Sequence, residues 1–142
     1  MDQPLIYCAA DMDDIVSLPF ASGVACAFTR RAPGKATPNE DSIALISCNS
    51  GAGILVIADG MGGSRAGDQA SREAVNALSV ATGSGCDNTD ALRDAILNGV
   101  EQANARIGAM NLGAATTVAI VEILGREVRP YHVGDSMTLI TG

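Results

Sequence analysis

The sequence is short of large aromatic side chains: it has no tryptophan, two tyrosines and two phenylalanines among 142 residues. Apolar residues nevertheless make up 47% of the chain, which excludes a disordered protein. Alanine, valine, isoleucine and leucine must therefore build the core. The length suits a single domain that can bury a core of useful size.

The usual zinc ligands are also scarce. His132 is the only histidine, and Cys8, Cys26, Cys48 and Cys86 are too far apart to form a Cys-x-x-Cys pair. This pattern argues against a zinc site. It predicts four reduced and mostly buried thiols.

Basic residues are outnumbered by acidic ones, nine to 16, which gives a net charge of −7. An acidic chain is repelled by phosphate backbones and anionic lipids, so we expect no nucleic acid and no membrane as a main partner. The first residues have no basic signal-peptide region, and no apolar run reaches membrane-spanning length. These features predict a soluble, cytoplasmic protein.

Turn residues divide the chain into clustered strands and clustered helices. The resulting order, β-β-β-α-α-β-β-β, indicates an α+β fold with a mainly antiparallel sheet. Residues 1–20 are poorly patterned and are predicted to be a loose N-terminal leader before a domain over residues 21–142. Strands are predicted at 21–29, 42–47, 53–58, 115–123, 127–133 and 137–141, and helices at 66–81 and from Asn88 or Thr89 onward.

One apolar run ends abruptly in an acidic residue. Residues 54–58 are all apolar, and Asp59 and Gly60 follow directly. A buried strand that ends this way can hold a carboxylate rigidly, and the glycine lets its own carbonyl come close to a cation. Mg²⁺ and Mn²⁺ prefer such oxygen ligands. A strand that simply ends in a tight turn has the same pattern, so this run alone leaves both interpretations open.

Two further acidic clusters lie at predicted strand ends: Glu40 and Asp41 after Asn39, and Asp135 in a Gly-Asp-Ser turn. If the second and third strands form a hairpin, Asp41 and Asp59 meet at the same sheet edge. Neighbouring carboxylates repel each other unless a cation neutralises them. A pair of divalent ions could activate water and hold a phosphoryl group. Each cluster alone is also typical of an ordinary cap or turn.

Other glycine-containing motifs are not matched. The run from Gly60 has Arg65 where the dinucleotide-binding fingerprint requires its third glycine. Gly34 and Lys35 are not preceded by the glycine of a phosphate-binding P-loop and are followed by Ala36. There is no Gly-x-Ser-x-Gly motif, so serine hydrolase chemistry has little support.

In chain order, four segments resemble the PPM-type (protein phosphatase type 2C-like) metal-dependent serine/threonine phosphatases, bacterial-type branch. The resemblance covers about residues 23–142. The segments read Asn-Glu-Asp-Ser at 39–42, Ala-Asp-Gly-Met-Gly-Gly at 58–63 with Ala-Gly-Asp-Gln-Ala-Ser at 66–71, Gly-Ala-Ala-Thr-Thr at 113–117, and His-Val-Gly-Asp-Ser at 132–136.

The resemblance implies a fold and an activity. The fold is an antiparallel β-sandwich flanked by helices in α-β-β-α layers, and the chain is expected to lack its C-terminal part. The implied activity is hydrolysis of phosphoserine and phosphothreonine on proteins by a metal-activated water, without a phosphoenzyme. The implied partners are phosphorylated Ser/Thr proteins, on which the enzyme opposes a Ser/Thr kinase.

It also implies roles for particular residues. Glu40, Asp41 and Asp59 would carry the catalytic chemistry. Two Mg²⁺ or Mn²⁺ ions would be held by Asp41, Asp59 and the Gly60 carbonyl. Asp135 would serve a third, weaker ion.

Two departures from the family pattern matter. Ala36 stands where members usually carry a phosphate-binding arginine, so Lys35 or Arg31 is the candidate substitute; a solvated loop lysine explains Lys35 equally well. The chain also ends at Gly142, before the last strands and metal-binding aspartates of the family. We therefore expect weak catalysis from this chain, and the alternative is a non-catalytic phosphoprotein-binding or scaffold protein.

Overall fold

The computed structural model describes residues 3–48, 51–61, 66–83 and 89–142. Most of the predicted strand–helix–strand order is present. Two additional strands lie near the N-terminus, the strand predicted at 115–123 is divided in two, and the last predicted strand is not formed. The elements are β1 (Leu5–Cys8), β2 (Val16–Phe20), β3 (Gly23–Ala27), β4 (Asp41–Ser47), β5 (Gly53–Met61), α1 (Gly67–Gly83), α2 (Thr89–Ala109), β6 (Ala115–Thr116), β7 (Val118–Leu124) and β8 (Glu127–Val133).

The main sheet is antiparallel, as predicted. Its strands follow the order β1-β4-β5-β7-β8, and β6 pairs with the end of β5. β4 and β5 form one hairpin and β7 and β8 another. Gly125 turns the second hairpin with a φ of 58°, a conformation that favours glycine.

One face of the main sheet packs against α1, and α2 packs on α1. Alternate residues of β5, among them Ile54 and Val56, are fully buried on this face. The facing side of α1 is built of small residues such as Ala70 and Ala74, which lets the helix lie close to the sheet. α2 completes this core with Leu92, Ile96 and other members of its apolar stripe.

The opposite face of the sheet is covered by the β2–β3 hairpin. Phe20 and Ala25 of the hairpin form a second buried cluster with Leu45, and Leu55 packs against it. The described layers are therefore helices, a six-stranded sheet and a two-stranded hairpin. This confirms the α+β fold with antiparallel sheets. In the residues described, both helices lie on one side, so the outer helical layer expected beyond the second sheet is not among them.

The prediction that residues 1–20 form a loose leader is wrong, because this segment contains β1 and β2. β1 pairs with β4 along its whole length, and β2 pairs with β3. Leu5, Leu18 and Phe20 contribute to the second core cluster, and this apolar burial holds the segment in place. The start of the domain at residue 21 stays a prediction.

Two other expectations are also corrected. Residues 137–141 do not form a strand, and Met137 and Leu139 are 80% and 83% exposed. A strand needs a hydrogen-bonding neighbour, and the described part of the chain offers none to this segment. Cys48 is disulfide-bonded, which contradicts the prediction of four reduced thiols, whereas Cys8 and Cys26 are free.

Some sequence predictions fall outside the described residues: part of the turn at 49–51, Gly62 and Gly63 of the central motif, Cys86, and the helix cap Asn88. Among the described helices, none is long and apolar enough to cross a membrane.

The end of β5 and the start of α1 lie very close together, which fixes this end of the sheet. A Cβ placed on Gly60 would lie 2.1 Å from the Gly67 carbonyl oxygen and 2.6 Å from that of Glu40. A Cβ on Gly67 would lie 2.7 Å from Glu40 Oε1. The neighbours of Gly60 are backbone atoms, which cannot rotate away, so this position requires glycine. At Gly67 the nearest neighbour is a side-chain atom of Glu40, and the Gly60 backbone lies 3.0 Å away.

We predict that Gly60→Ala lowers the free energy of unfolding by about 3 kcal/mol or more, because the added methyl overlaps fixed backbone atoms. Urea unfolding followed by circular dichroism measures the change. Gly108→Ala in α2 is the matched control, since nothing lies within 4 Å of its added Cβ. The control should be neutral or stabilising by up to about 1 kcal/mol. Equal stabilities of the two variants would contradict the close approach.

Candidate functional site

Asp41 and Asp59 are directly opposite each other on β4 and β5. They share the face that is turned away from α1, because residues alternate between faces along each strand. Opposed residues of an antiparallel pair bring their Cβ atoms to about 5 Å. The structure thus confirms that these two carboxylates converge at one sheet edge, and their chemical roles stay predictions.

The two carboxylates are close enough to repel each other. The pKa of Asp41 is raised, first by partial burial, then by the negative charge of Asp59 and by a hydrogen bond with it. Like charges this close favour uptake of a proton or of a cation. The pair is therefore suited to bind a positively charged group.

Glu40 faces the other way. Its side chain is buried on the helix side, where Oε2 forms an ion pair with Lys35 and Oε1 has no hydrogen-bond partner among the described residues. Adjacent residues of a strand point to opposite faces, which separates Glu40 from Asp41. Within the described residues, no three acidic, cysteine or histidine side chains gather closely enough to hold a metal together.

Lys35 lies near this acidic group, and its predicted role as a phosphate-binding residue stays a prediction. Its pKa is raised, mainly by the hydrogen bond with Glu40. Desolvation is the next largest effect and lowers the pKa, and the charges of Glu40, Asp41 and Asp59 raise it further. Its side chain remains 38% exposed, so the ammonium is accessible from solvent.

Arg31, the other phosphate candidate, is engaged elsewhere. Its Nε lies 3.0 Å from Asp11 Oδ2, and its backbone N–H donates to Asp11 Oδ1 at 2.9 Å. Arg30 forms an ion pair with Asp13, with Nη1 3.4 Å from Oδ1. Both arginines therefore contact the N-terminal segment, whereas Lys35, among the basic residues that the structure describes, interacts with the carboxylates.

Asp135 is exposed in the turn after β8. The next residue, Ser136, shares a hydrogen bond of 2.5 Å with Thr117, which lies opposite the end of β5. The turn is thus attached to Thr117, whose N–H donates to the Asp59 carbonyl. Asp135 itself does not join Asp41 and Asp59 in a three-ligand group in the described part of the chain.

The sequence predicts Asn39 as part of the acidic motif at 39–42 or as a turn cap, without a role of its own in the site, and in the structure it organises the start of β4. Its amide nitrogen donates to the Ala10 carbonyl at 2.7 Å and to Thr29 Oγ1 at 2.8 Å, and its amide oxygen accepts from the Asp41 N–H at 3.1 Å. One feature of the sequence could have identified this role. Asn39 stands just before two acidic residues, and no glycine follows it to complete a turn.

Comparison with known proteins gives consistent results. A protein-family model described as Protein phosphatase 2C matches residues 30–142. Over 108 residues the sequence is 32% identical to protein phosphatase PhpP of Streptococcus pneumoniae, an alignment that covers 72% of this chain and 44% of that protein.

Two solved structures are similar. The serine/threonine phosphatase of S. agalactiae superposes with a TM-score of 0.59 at 28% identity, covering 93% of this chain and 49% of that one. The PPM Ser-Thr phosphatase MsPP from Mycobacterium smegmatis was solved in complex with cacodylate. It superposes with a TM-score of 0.59 at 23% identity, covering 89% of this chain and 48% of that one, and this similarity shows the fold alone. The chain spans about half the length of the proteins it matches.

We predict that Asp41→Asn stabilises the metal-free protein at neutral pH by about 0.5 to 1 kcal/mol, because it removes one of two opposed like charges. The sign follows from the raised pKa of Asp41. Its contribution to stability is fully present below the ordinary value of 3.8 and is lost as pH rises through the raised value. The gain should therefore shrink as pH falls towards 4.

Thermal unfolding in a chelator at several pH values measures this gain. Asp94→Asn, an exposed aspartate on α2, is the control and should change the melting temperature little. A lower melting temperature for Asp41→Asn at neutral pH would mean that the carboxylate stabilises the fold through another contact.

Proposed function

The chain belongs to the protein phosphatase 2C family, and on this basis we propose that it dephosphorylates phosphoserine and phosphothreonine on proteins with Mg²⁺ or Mn²⁺. The observation that supports this most directly is the opposition of Asp41 and Asp59 at one sheet edge. PhpP and the S. agalactiae protein are themselves called protein or serine/threonine phosphatases.

The residues present fit a hard divalent cation. Asp41 and Asp59 offer two carboxylates side by side. Partial burial and the charge of Asp59 raise the pKa of Asp41, and a cation would relieve the repulsion between the two. Together with the Gly60 carbonyl they would hold two ions, and Asp135 would serve a third. When bound, such ions supply Lewis acidity for a water molecule and for the phosphoryl group.

The chain's own groups would do the rest. The Lys35 ammonium would attract and orient the phosphate dianion as a point charge. Asp41, whose pKa is raised by partial burial and by the charge of Asp59, would serve as a proton acceptor. Glu40 Oε1, buried and without a hydrogen-bond partner in the described ranges, would accept a hydrogen bond from a water molecule beside the site.

We further propose phosphorylated Ser/Thr proteins as substrates, with a Ser/Thr kinase acting in opposition, in the cytoplasm. The net charge of −7 makes nucleic acid and anionic membranes poor partners. This acidity favours substrates that approach through the Lys35 side of the site.

One observation favours a second candidate function. Asp41 and Asp59 are joined by no third ligating side chain in the described ranges. Two ions with fixed geometry need more ligands than that. A non-catalytic phosphoprotein-binding or scaffold protein would keep Lys35 and the carboxylate pair without turnover.

The metal site can be tested by calorimetry with Mn²⁺. We expect weak binding that Asp59→Ala lowers by at least about tenfold and that Asp135→Ala lowers less. Mn²⁺-dependent release of phosphate from a phosphothreonine peptide should be measurable but slow and should be lost in Asp59→Ala. Equal Mn²⁺ affinity of the wild type and Asp59→Ala would contradict the site. Peptide binding with no turnover would favour the scaffold alternative.

Lys35→Ala should raise KM for the phosphopeptide by about tenfold with kcat little changed, because one charge contact to phosphate is lost. Lys35→Arg should keep KM near the wild-type value. Arg126→Ala, in the distant β7–β8 turn, is the control. An unchanged KM in Lys35→Ala would make Lys35 a solvated loop residue. Melting temperatures show whether the loss of the Glu40 partner has also weakened the fold.

A further inference from the structure

The strand register around Asp59 places Thr117 opposite it. Ile57 pairs with Ala119, and Gly60 pairs with Thr116, so one register runs through both ends of the gap between β6 and β7. Where opposed residues of a regular antiparallel ladder are hydrogen-bonded, they exchange two backbone bonds. One of these is present, since the Thr117 N–H donates to the Asp59 carbonyl at 2.9 Å.

The second bond runs to a side chain. The Asp59 N–H donates to Thr117 Oγ1 at 3.3 Å. The Thr117 carbonyl instead accepts from Thr116 Oγ1 at 2.9 Å, and the same Thr116 hydroxyl lies 3.0 Å from the Asp59 carbonyl. The backbone of Asp59 is therefore held by two threonine hydroxyls as well as by the sheet.

Thr117 also supports the turn that carries Asp135. Its hydroxyl is hydrogen-bonded to Ser136 Oγ. A Cβ placed on Gly134 would lie 2.7 Å from Thr117 Cγ2, and Gly134 has a φ of 90°. Thr117 is only 3% exposed, so water cannot easily replace either contact.

We propose that Thr117 is a positioning residue: its hydroxyl fixes the backbone of Asp59 and, through Ser136, holds the turn of Asp135 against the same strand. A hydroxyl can donate one hydrogen bond and accept two, so both contacts can exist at once. The hydrogen-bonding role stands on the geometry alone. Its consequence for metal binding rests on the proposed function.

A purely steric role for Thr117 makes the opposite prediction for two conservative variants. Thr117→Val keeps the branched shape and loses the hydroxyl, which leaves the Asp59 N–H without its partner. Thr117→Ser keeps the hydroxyl and loses the methyl group that touches Gly134. Positioning by the hydroxyl requires Ser to behave like the wild type and Val to fail, whereas packing requires the reverse.

The first test needs no metal. Amide hydrogen exchange of the ¹⁵N-labelled 142-residue chain, followed by NMR, reports the protection of the Asp59 N–H. We expect protection to fall at least about tenfold in Thr117→Val and to stay within about threefold of the wild type in Thr117→Ser. Amides in the middle of β4 serve as the internal reference for global unfolding. Equal protection in the two variants, or the reverse order, would overturn the proposal.

The second test is Mn²⁺ affinity by calorimetry. Thr117→Val should weaken it about tenfold, Ser136→Ala by a smaller factor, and Thr117→Ser little. Unchanged affinity in both Thr117→Val and Ser136→Ala would overturn the link to the metal site. If the wild type binds no Mn²⁺, the proposed function fails while the exchange experiment still decides the role of the hydroxyl. If Thr117→Val does not fold, Thr117→Ser decides, because loss of Asp59 protection there contradicts the proposal.

Discussion

The register of the β4–β5 hairpin is the constraint on which the candidate site depends. Side chains alternate between faces with a period of two, so a slip by one residue would move every side chain of a strand to the other face. The apolar residues prevent such a slip: Ile54 and Val56 must face α1, and Leu55 must face the β2–β3 hairpin. This burial is what forces Asp41 and Asp59 to meet, although they repel each other. The hydrophobic core thus maintains an electrostatically unfavourable pair that a cation would relieve.

Around this pair, the groups that set geometry are mostly uncharged. Gly60 allows the start of α1 to approach, Asn39 arranges the start of β4, and two threonine hydroxyls hold the Asp59 backbone. Ser42 on β4 and Ser71 on α1 share a buried hydrogen bond of 2.9 Å, which attaches the helix next to the acidic strand end. None of these groups carries a charge. They determine where the charges are, and they do so from different parts of the sequence.

The sequence predicted the elements that have strong local patterns and missed those that depend on distant partners. β4, β5, α1 and β8 were predicted within a few residues, because apolar periodicity and turn residues define them. β1 and β2 are short, and their strand character depends on pairing with β4 and β3, which no local signal records. Residues 137–141 show the reverse case: the local pattern suggests a strand, and no described neighbour pairs with it.

The same distinction applies to the site. The meeting of Asp41 and Asp59 followed from assuming a hairpin. The alternation of side chains along a strand implies the opposite orientation of Glu40, although the sequence prediction grouped Glu40 with Asp41. The engagement of Arg31 by Asp11 could not be predicted, since it needs a contact between two loops.

The N-terminal segment has a role that a map of site residues would not reveal. The match to the family model begins at residue 30, and every predicted site residue lies after that point. Yet the Ala9 N–H donates to the Asp41 carbonyl, the Ala10 carbonyl accepts from Asn39, and β1 forms the outer neighbour of β4. A protease cut or a shortened gene that removed the first dozen residues would keep every predicted site residue. It would remove β1 and the backbone contacts that support the start of β4. Sequence boundaries drawn from family matches therefore need not coincide with the physical limits of a working site.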